Sequence, residues 1–490
     1  MASDLFTFGD CELDAAVRQL RKSGLPVTLP PRQFDLLLLL VSRAGEVLSK
    51  DALVEAAWAG VAVTDNSVEQ AISGLRRALA GPDGTSPIET QARRGYRFTA
   101  DVQRVERRAD DEALEALLAP HRAWIEGRAA LETLERSQIV HAREVFEKVI
   151  ASVPDSASAH VGLANACVMQ FEMTRTELKP DREALARAAT HAREACRLDP
   201  KYGEAWATLG FVLDRTGRRD DALAASRMAI GLEPDNWRHH LRLAYVSWGE
   251  ERLREARRTL SLLPGFPLAH WLAATVHVAR QAFDEAEREL VTGLAALGAP
   301  APVGAGTRHE PPHGRFGAVA LHWLHGLLLL ARGDEAQALA AFERELADEH
   351  LGQLYARECC ANTYYAIAAV RYTHDDGAGA RQALLETTTR LPVHPGALAV
   401  LSAMQGTPFV SLVERGRAVP GAPLAELALS DAVGHALRGD MEASVSAVDR
   451  ELASAPPGSA LWTLPLDPFL RPAHDDRWAG VLAALRNRAA

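Results

Sequence analysis

Along SVEQAISGLRRAL, residues 67–79, the apolar positions recur with a helical period. At about 100° per residue, Val68, Ile72, Leu75 and Leu79 fall on one stripe, with Gln70, Ser73 and Arg77 opposite and Glu69 and Arg76 on a flank. The spacing predicts a helix that buries one side and presents a polar one, with Asn66 as N-cap, Glu69 three residues later and Gly81-Pro82 as the stop. Gly74 inside it costs about 1 kcal/mol relative to Ala, and reads either as room for the backbone to approach a partner closely or as a tolerated surface glycine. Upstream, PPRQFDLLLLLVSRAG and SKDALVEAAW, the latter capped by Ser49, predict two more helices, preceded by short strand-like segments in FTFGDCELD, VRQLRKSG and PVTLP. Downstream, PIETQA and YRFTA flank the turn RRG, a hairpin with Gly95 near its tip and arginines upon it.

A sheet, three helices with a polar face on the third, and a basic hairpin form the order of a winged helix-turn-helix, whose third helix enters the major groove. The segments FGDCELD, LPPRQFDLLLLL, GEVLSKDALVEAAW, TDNSVEQAISGLRRAL and IETQARRGYRF, in that order and spacing, resemble the OmpR/PhoB-type DNA-binding domain. The resemblance covers residues 6–99 and implies a DNA-binding role. It places Asn66, Ser67, Gln70, Ser73, Gly74, Arg76 and Arg77 on the recognition helix and Arg93 and Arg94 on the wing, and it matches Trp58 and Thr90 to positions that touch the phosphate backbone. The chain has Ser73, Gly74 and Ala92 where many members carry basic residues. The RRGY variant is similar to members without a phosphorylated receiver domain, and a one-component regulator is the expectation.

From about residue 120 the pattern is helical throughout, and it repeats. The unit from Gly203 to Asn236 is 34 residues long and carries Trp206, Leu209, Gly210, Gly217, Ala222, Ala229 and Pro234 at tetratricopeptide (TPR) consensus positions. Weaker copies share the frame: Ala142, Phe146 and Pro154; Leu243, Ala244 and Ala256; Phe283 and Ala286; Gly326, Gly333, Ala338 and Phe342; Ala380, Leu384 and Pro392; Gly439 and Pro456. They amount to about eight or nine units. The expected fold is mainly α: a winged helix over 1–104, a charged joint over 105–119, a first array over 120–297, a Pro/Gly-rich linker over 298–316 and a second array with its cap over 317–490. Stacked hairpins of this kind bind peptides or proteins on a concave surface, and they also support homodimers. The ending DPFLRPAHDDRWAGVLAALRNR resembles the closing segment of bacterial TPR proteins, which makes a complete chain the expectation.

Charge sharpens this division. Residues 1–108 hold 14 Lys+Arg and 14 Asp+Glu, so the net −10 lies wholly in the remainder. Arg76, Arg77, Arg93, Arg94 and Arg97 gather in one region of the neutral part. Five cysteines without CxxC spacing suit a reducing compartment, with Cys359-Cys360 read as packing residues. No stretch reaches the roughly 20 apolar residues of a membrane span, so a cytoplasmic protein is expected. Walker A, GxSxG and HExxH spacings are lacking, as is a GxGxxG after a strand. His322 with His325, and His239-His240, read as groove or core histidines ahead of metal ligands, so neither catalysis, cofactor nor metal is expected. The alternative to a regulator is a TPR scaffold whose winged helix mediates protein contacts.

Overall fold

The computed structural model describes residues 5–15, 17–50, 52–54, 65–80, 84–92, 94–105, 109–297, 320–347, 349, 354–418 and 424–490. It divides into two compact units, Met1–Ala119 and Pro120–Ala490.

The first unit opens with a meander of β1 (Leu5–Phe8), β2 (Cys11–Asp14), β3 (Gln19–Lys22) and β4 (Leu25–Val27). A late strand, β8 (Gln103–Val105), joins β1 and completes the order β4-β3-β2-β1-β8, antiparallel at every pairing. The sequence gives no separate sign of β8, since three residues are too few to show alternation. Helix α1 (Pro31–Ser42) starts on a proline, where the missing N–H costs nothing, and buries Phe34, Leu36, Leu37, Leu40 and Val41. Ser49 caps the next helical segment as expected, its Oγ accepting from Ala52 N at 3.2 Å. Helix α2 spans Asp65–Leu79, and Val68, Ile72, Leu75 and Leu79 are all buried, as the stripe requires.

A second sheet, order β5-β7-β6, contains β6 (Ile88–Gln91), β7 (Gly95–Phe98) and the two-residue β5 (Val47–Leu48). One core joins both sheets to the helices, with Phe8 and Phe98 edge to face at 5.0 Å. Of the residues expected in the joint over 105–119, Val105 ends β8 and those from Ala109 begin a helix running to Glu132.

The second unit is a stack of antiparallel helix pairs, TPR-like in architecture. The unit expected at 203–236 forms the pair Gly203–Arg215 and Arg219–Leu232. Gly210 is small of necessity, because a Cβ there would lie 2.4 Å from Ser226 Oγ and 2.9 Å from the Ala222 carbonyl. Phe146 makes the same demand twice, its ring filling the space left by Gly127 and Gly162. Gly217, Gly333 and Gly439 end first helices in the left-handed region, and each turn is closed by one bond pattern: Arg218 N to Leu213 O, Asp334 N to Leu329 O, Asp440 N to His435 O.

Leu290, from the helix Phe283–Leu297, shares a core with Leu321 and Leu324 from the helix Leu321–Ala331, so the array runs on across the 298–316 segment. That segment itself lies outside the described residues. Distant repeats also meet: the buried Glu172 carboxylate accepts from Arg215 Nε at 2.5 Å and from the Tyr355 hydroxyl at 3.2 Å, while Arg175 bonds Glu358.

Candidate nucleic-acid interface

The residues best placed to read a ligand stand on α2. Burial of the Val68–Leu79 stripe turns Gln70, Ser73 and Arg77 outward, and all three are exposed. With Pro30, Arg32, Gln33 and Ala71 they line an open groove between α2 and the start of α1. Arg32 is an addition that periodicity did not single out, although its polar letter at the entry of an apolar helix was a usable signal.

Other expected contacts change role. Arg76 does not project freely: its Nε donates to the Ile88 carbonyl at 3.0 Å and its Nη2 to Thr90 Oγ1 at 2.7 Å, with the guanidinium 5.9 Å from the Tyr96 ring centroid. It ties the helix to the wing, because the flank it occupies faces β6 rather than solvent. Thr90 only accepts in that bond, so its own hydroxyl proton remains available to a phosphate. Gly74 faces Gln33, where a Cβ would lie 2.6 Å from the amide nitrogen, so the space it leaves is taken by α1 rather than left to a partner.

Asn66 lies inside the helix rather than capping it, since helical geometry begins at Asp65. Glu69 pairs instead with Lys50, Oε1 to Nζ at 2.8 Å. The side chains of Asn66 and Ser67, together with Trp58 and Arg93, fall outside the described residues.

The wing is held by two features. Gly95 has φ +128°, and a Cβ there would lie 1.9 Å from the Leu48 carbonyl, so only glycine lets β5 pair with β7. Across the hairpin, Arg97 bonds Glu89 at 2.8 Å, which neutralises one of the five arginines locally. Arg94 follows the turn closed by its own N–H to the Gln91 carbonyl at 2.9 Å and is exposed. Polar reading groups on a helix, beside a hairpin bearing an exposed cation, are the parts of a winged DNA-binding domain.

The model of the family "Transcriptional regulatory protein, C terminal" matches residues 24–98. The N-terminal unit belongs to that family. This winged helix is 36% identical over 104 residues to the transcriptional activator CadC of Escherichia coli K12, covering 21% of this chain and 20% of CadC. It is 35% identical over 97 residues to the transcriptional regulator HilA of Salmonella typhimurium, covering 20% and 17%. The solved DNA-binding domain of Klebsiella pneumoniae RstA, in complex with the RstA box, is 34% identical with a TM-score of 0.18, over 19% of this chain and 96% of that one. The chain thus spans about a fifth of the length of CadC and HilA, and the likeness lies in the winged helix.

Elsewhere, two of the histidines that hinted at chemistry have carboxylate partners, whereas His322 Nδ1 is buried without a hydrogen-bond partner among the described residues. His240 Nδ1 meets Glu255 at 2.7 Å, and His239 meets Glu233 at 2.9 Å. Burial holds His322 down to about 4. All five cysteines are buried, and desolvation pushes Cys11, Cys167 and Cys196 up to about 11, far from thiolate reactivity. No helix among the described residues is long and apolar enough to cross a membrane.

Proposed function

We propose that the chain is a one-component, cytoplasmic transcriptional regulator that binds double-stranded promoter DNA through α2 and the wing. The array binds a protein or peptide partner, or a second copy of the chain as a homodimer, and no reaction is assigned to it. The supporting observation is the exposed row Gln70, Ser73 and Arg77, backed by a fully buried stripe and accompanied by Arg94 on the hairpin.

With α2 in the major groove, Arg77 suits the two acceptors of a guanine edge and Gln70 the acceptor and donor of an adenine. Arg94 and the Thr90 hydroxyl meet phosphates, which set position without reading sequence. The excess of ten negative charges outside residues 1–108 keeps the array off the phosphates. A sequence-enrichment binding experiment on the full chain, with affinity followed across salt concentrations, tests the reading. An enriched motif and a steep fall in affinity with salt are expected. A folded chain that retains no DNA overturns the reading and leaves the scaffold role.

A further inference from the structure

The last residues of the chain do not form another hairpin. After the helix Met441–Ser454 and the exposed Pro456-Pro457, the segment 458–490 runs back over hairpins far earlier in the sequence. The indole of Trp462 stands edge to face with Trp271 at 5.9 Å and Trp323 at 6.4 Å, and the ring of Phe469 lies 5.0 Å from Tyr365 and 6.0 Å from Tyr372. All four partners belong to first helices of successive pairs, Pro267–Ala279, Leu321–Ala331 and Ala356–Thr373. Leu466 between them joins the core of Ala274, Leu327 and Ala366. The first helices of these three pairs are therefore covered by the chain's own tail.

Two features mark this as ligand-like occupancy. The array holds the tail partly by its main chain: Arg280 Nε donates to the Ala489 carbonyl at 2.8 Å, and Gln281 Nε2 to the Leu482 carbonyl at 2.9 Å. Side chains that grip backbone carbonyls accept many sequences. The fit is also incomplete. The indole N–H groups of Trp248 and Trp271, on surfaces the tail covers, are buried without an acceptor among the described residues. A ligand with acceptors opposite the Trp248 and Trp271 N–H groups would make bonds that the tail leaves unmade.

We propose that the face of first helices is a peptide groove whose resident ligand is the tail 458–490, and that a partner segment of like chemistry binds there by displacing it. That partner is a short apolar stretch with an indole near one end and a phenyl ring near the other. The inference rests on the array having a partner, not on DNA binding, and its test reads peptide binding alone.

A fluorescent peptide of residues 459–470 is titrated into the full chain and into a Trp462→Ala/Phe469→Ala chain shown to be folded by circular dichroism. Loosening the tail raises the fraction of open groove, so the variant is expected to bind at least about tenfold more tightly than the parent. Adding Trp271→Ala removes that gain. Equal affinity of parent and variant overturns the proposal. Should the double variant not fold, a protease site at Pro456-Pro457 cuts the tail in place. Exchange of the cut tail for labelled peptide supports the proposal, whereas a tail that never exchanges, or a cut chain that unfolds, makes the segment a structural cap.

Discussion

Two surfaces of this molecule, a polar one on the winged helix and an aromatic one on the array, are in opposite states. On the winged helix, Gln70, Ser73 and Arg77 are exposed along a groove that protein atoms leave open. On the array, the first-helix face is packed with Trp462, Leu466 and Phe469 from the chain's own end. An open face suits a ligand that supplies its own charge, as duplex DNA does, because binding then needs no prior displacement. A filled face suits a ligand that must compete. Affinity at the first is set by contacts, and at the second by contacts less the tail's hold.

The largest effect that separates the two units is expected at Gly95. Gly95→Val puts a side chain onto the Leu48 carbonyl at a φ of +128°, so the wing loses either its β5 pairing or its turn. A destabilisation of roughly 3 kcal/mol is expected in the first unit. Chemical denaturation of the full chain, followed alongside DNA binding, should show an early transition and lost binding with the array's transition unchanged. A shift in the array's transition as well would mean the units do not unfold independently.

Next come Gln70→Ala and Arg77→Ala. Each should relax sequence preference at one or two base pairs, costing about 1–3 kcal/mol against the preferred base where the contact is bidentate. Unaltered enriched motifs in both variants would place another face in the groove. Arg94→Ala should act more weakly and evenly, lowering affinity for all sequences and flattening the slope of log K against log salt by about 0.9. A change of motif instead would put Arg94 against bases.

Much of this was legible because burial on one side of a regular element leaves a period. The α2 stripe, the α1 core residues and the glycine turns at Gly217, Gly333 and Gly439 all follow from such periods or from the left-handed conformation. What failed to show has physical reasons too. β5 and β8 are too short to alternate. Arg76 has the same letter as Arg77, and only the fold reveals that its flank meets the Ile88 carbonyl. The tail's partners lie about a hundred to two hundred residues away, and an apolar run such as LWTLPLDPFL carries no mark of where it docks.

The smallest expected effect lies in the array and turns on two histidines at like places. His160 and His240 are each the fourth residue of a first helix, and each directs Nε2 to the carbonyl of a proline ending the previous pair, Pro154 at 2.9 Å and Pro234 at 2.8 Å. Their other nitrogens differ. His160 Nδ1 meets His191 Nδ1 at 2.9 Å, an arrangement that needs one ring to donate and the other to accept, and burial together with His160 holds His191 below the usual histidine range. His240 Nδ1 meets the Glu255 carboxylate, so both its nitrogens face acceptors and the doubly protonated ring satisfies both. Burial opposes that charge, yet the bonds to Glu255 and to the Pro234 carbonyl outweigh it and raise the pKa of His240; Arg258 nearby works against the rise, and Arg254 shares Glu255. A raised folded-state pKa means stabilisation fully present below the unfolded value of about 6.5 and lost as pH climbs through the folded one. His240→Gln should therefore remove a decline in array stability above that pH. Denaturation midpoints of parent and variant from pH 5.5 to 8.5 give the answer: their difference should shrink as pH rises, and a constant difference would show that His240 holds its place as a neutral ring.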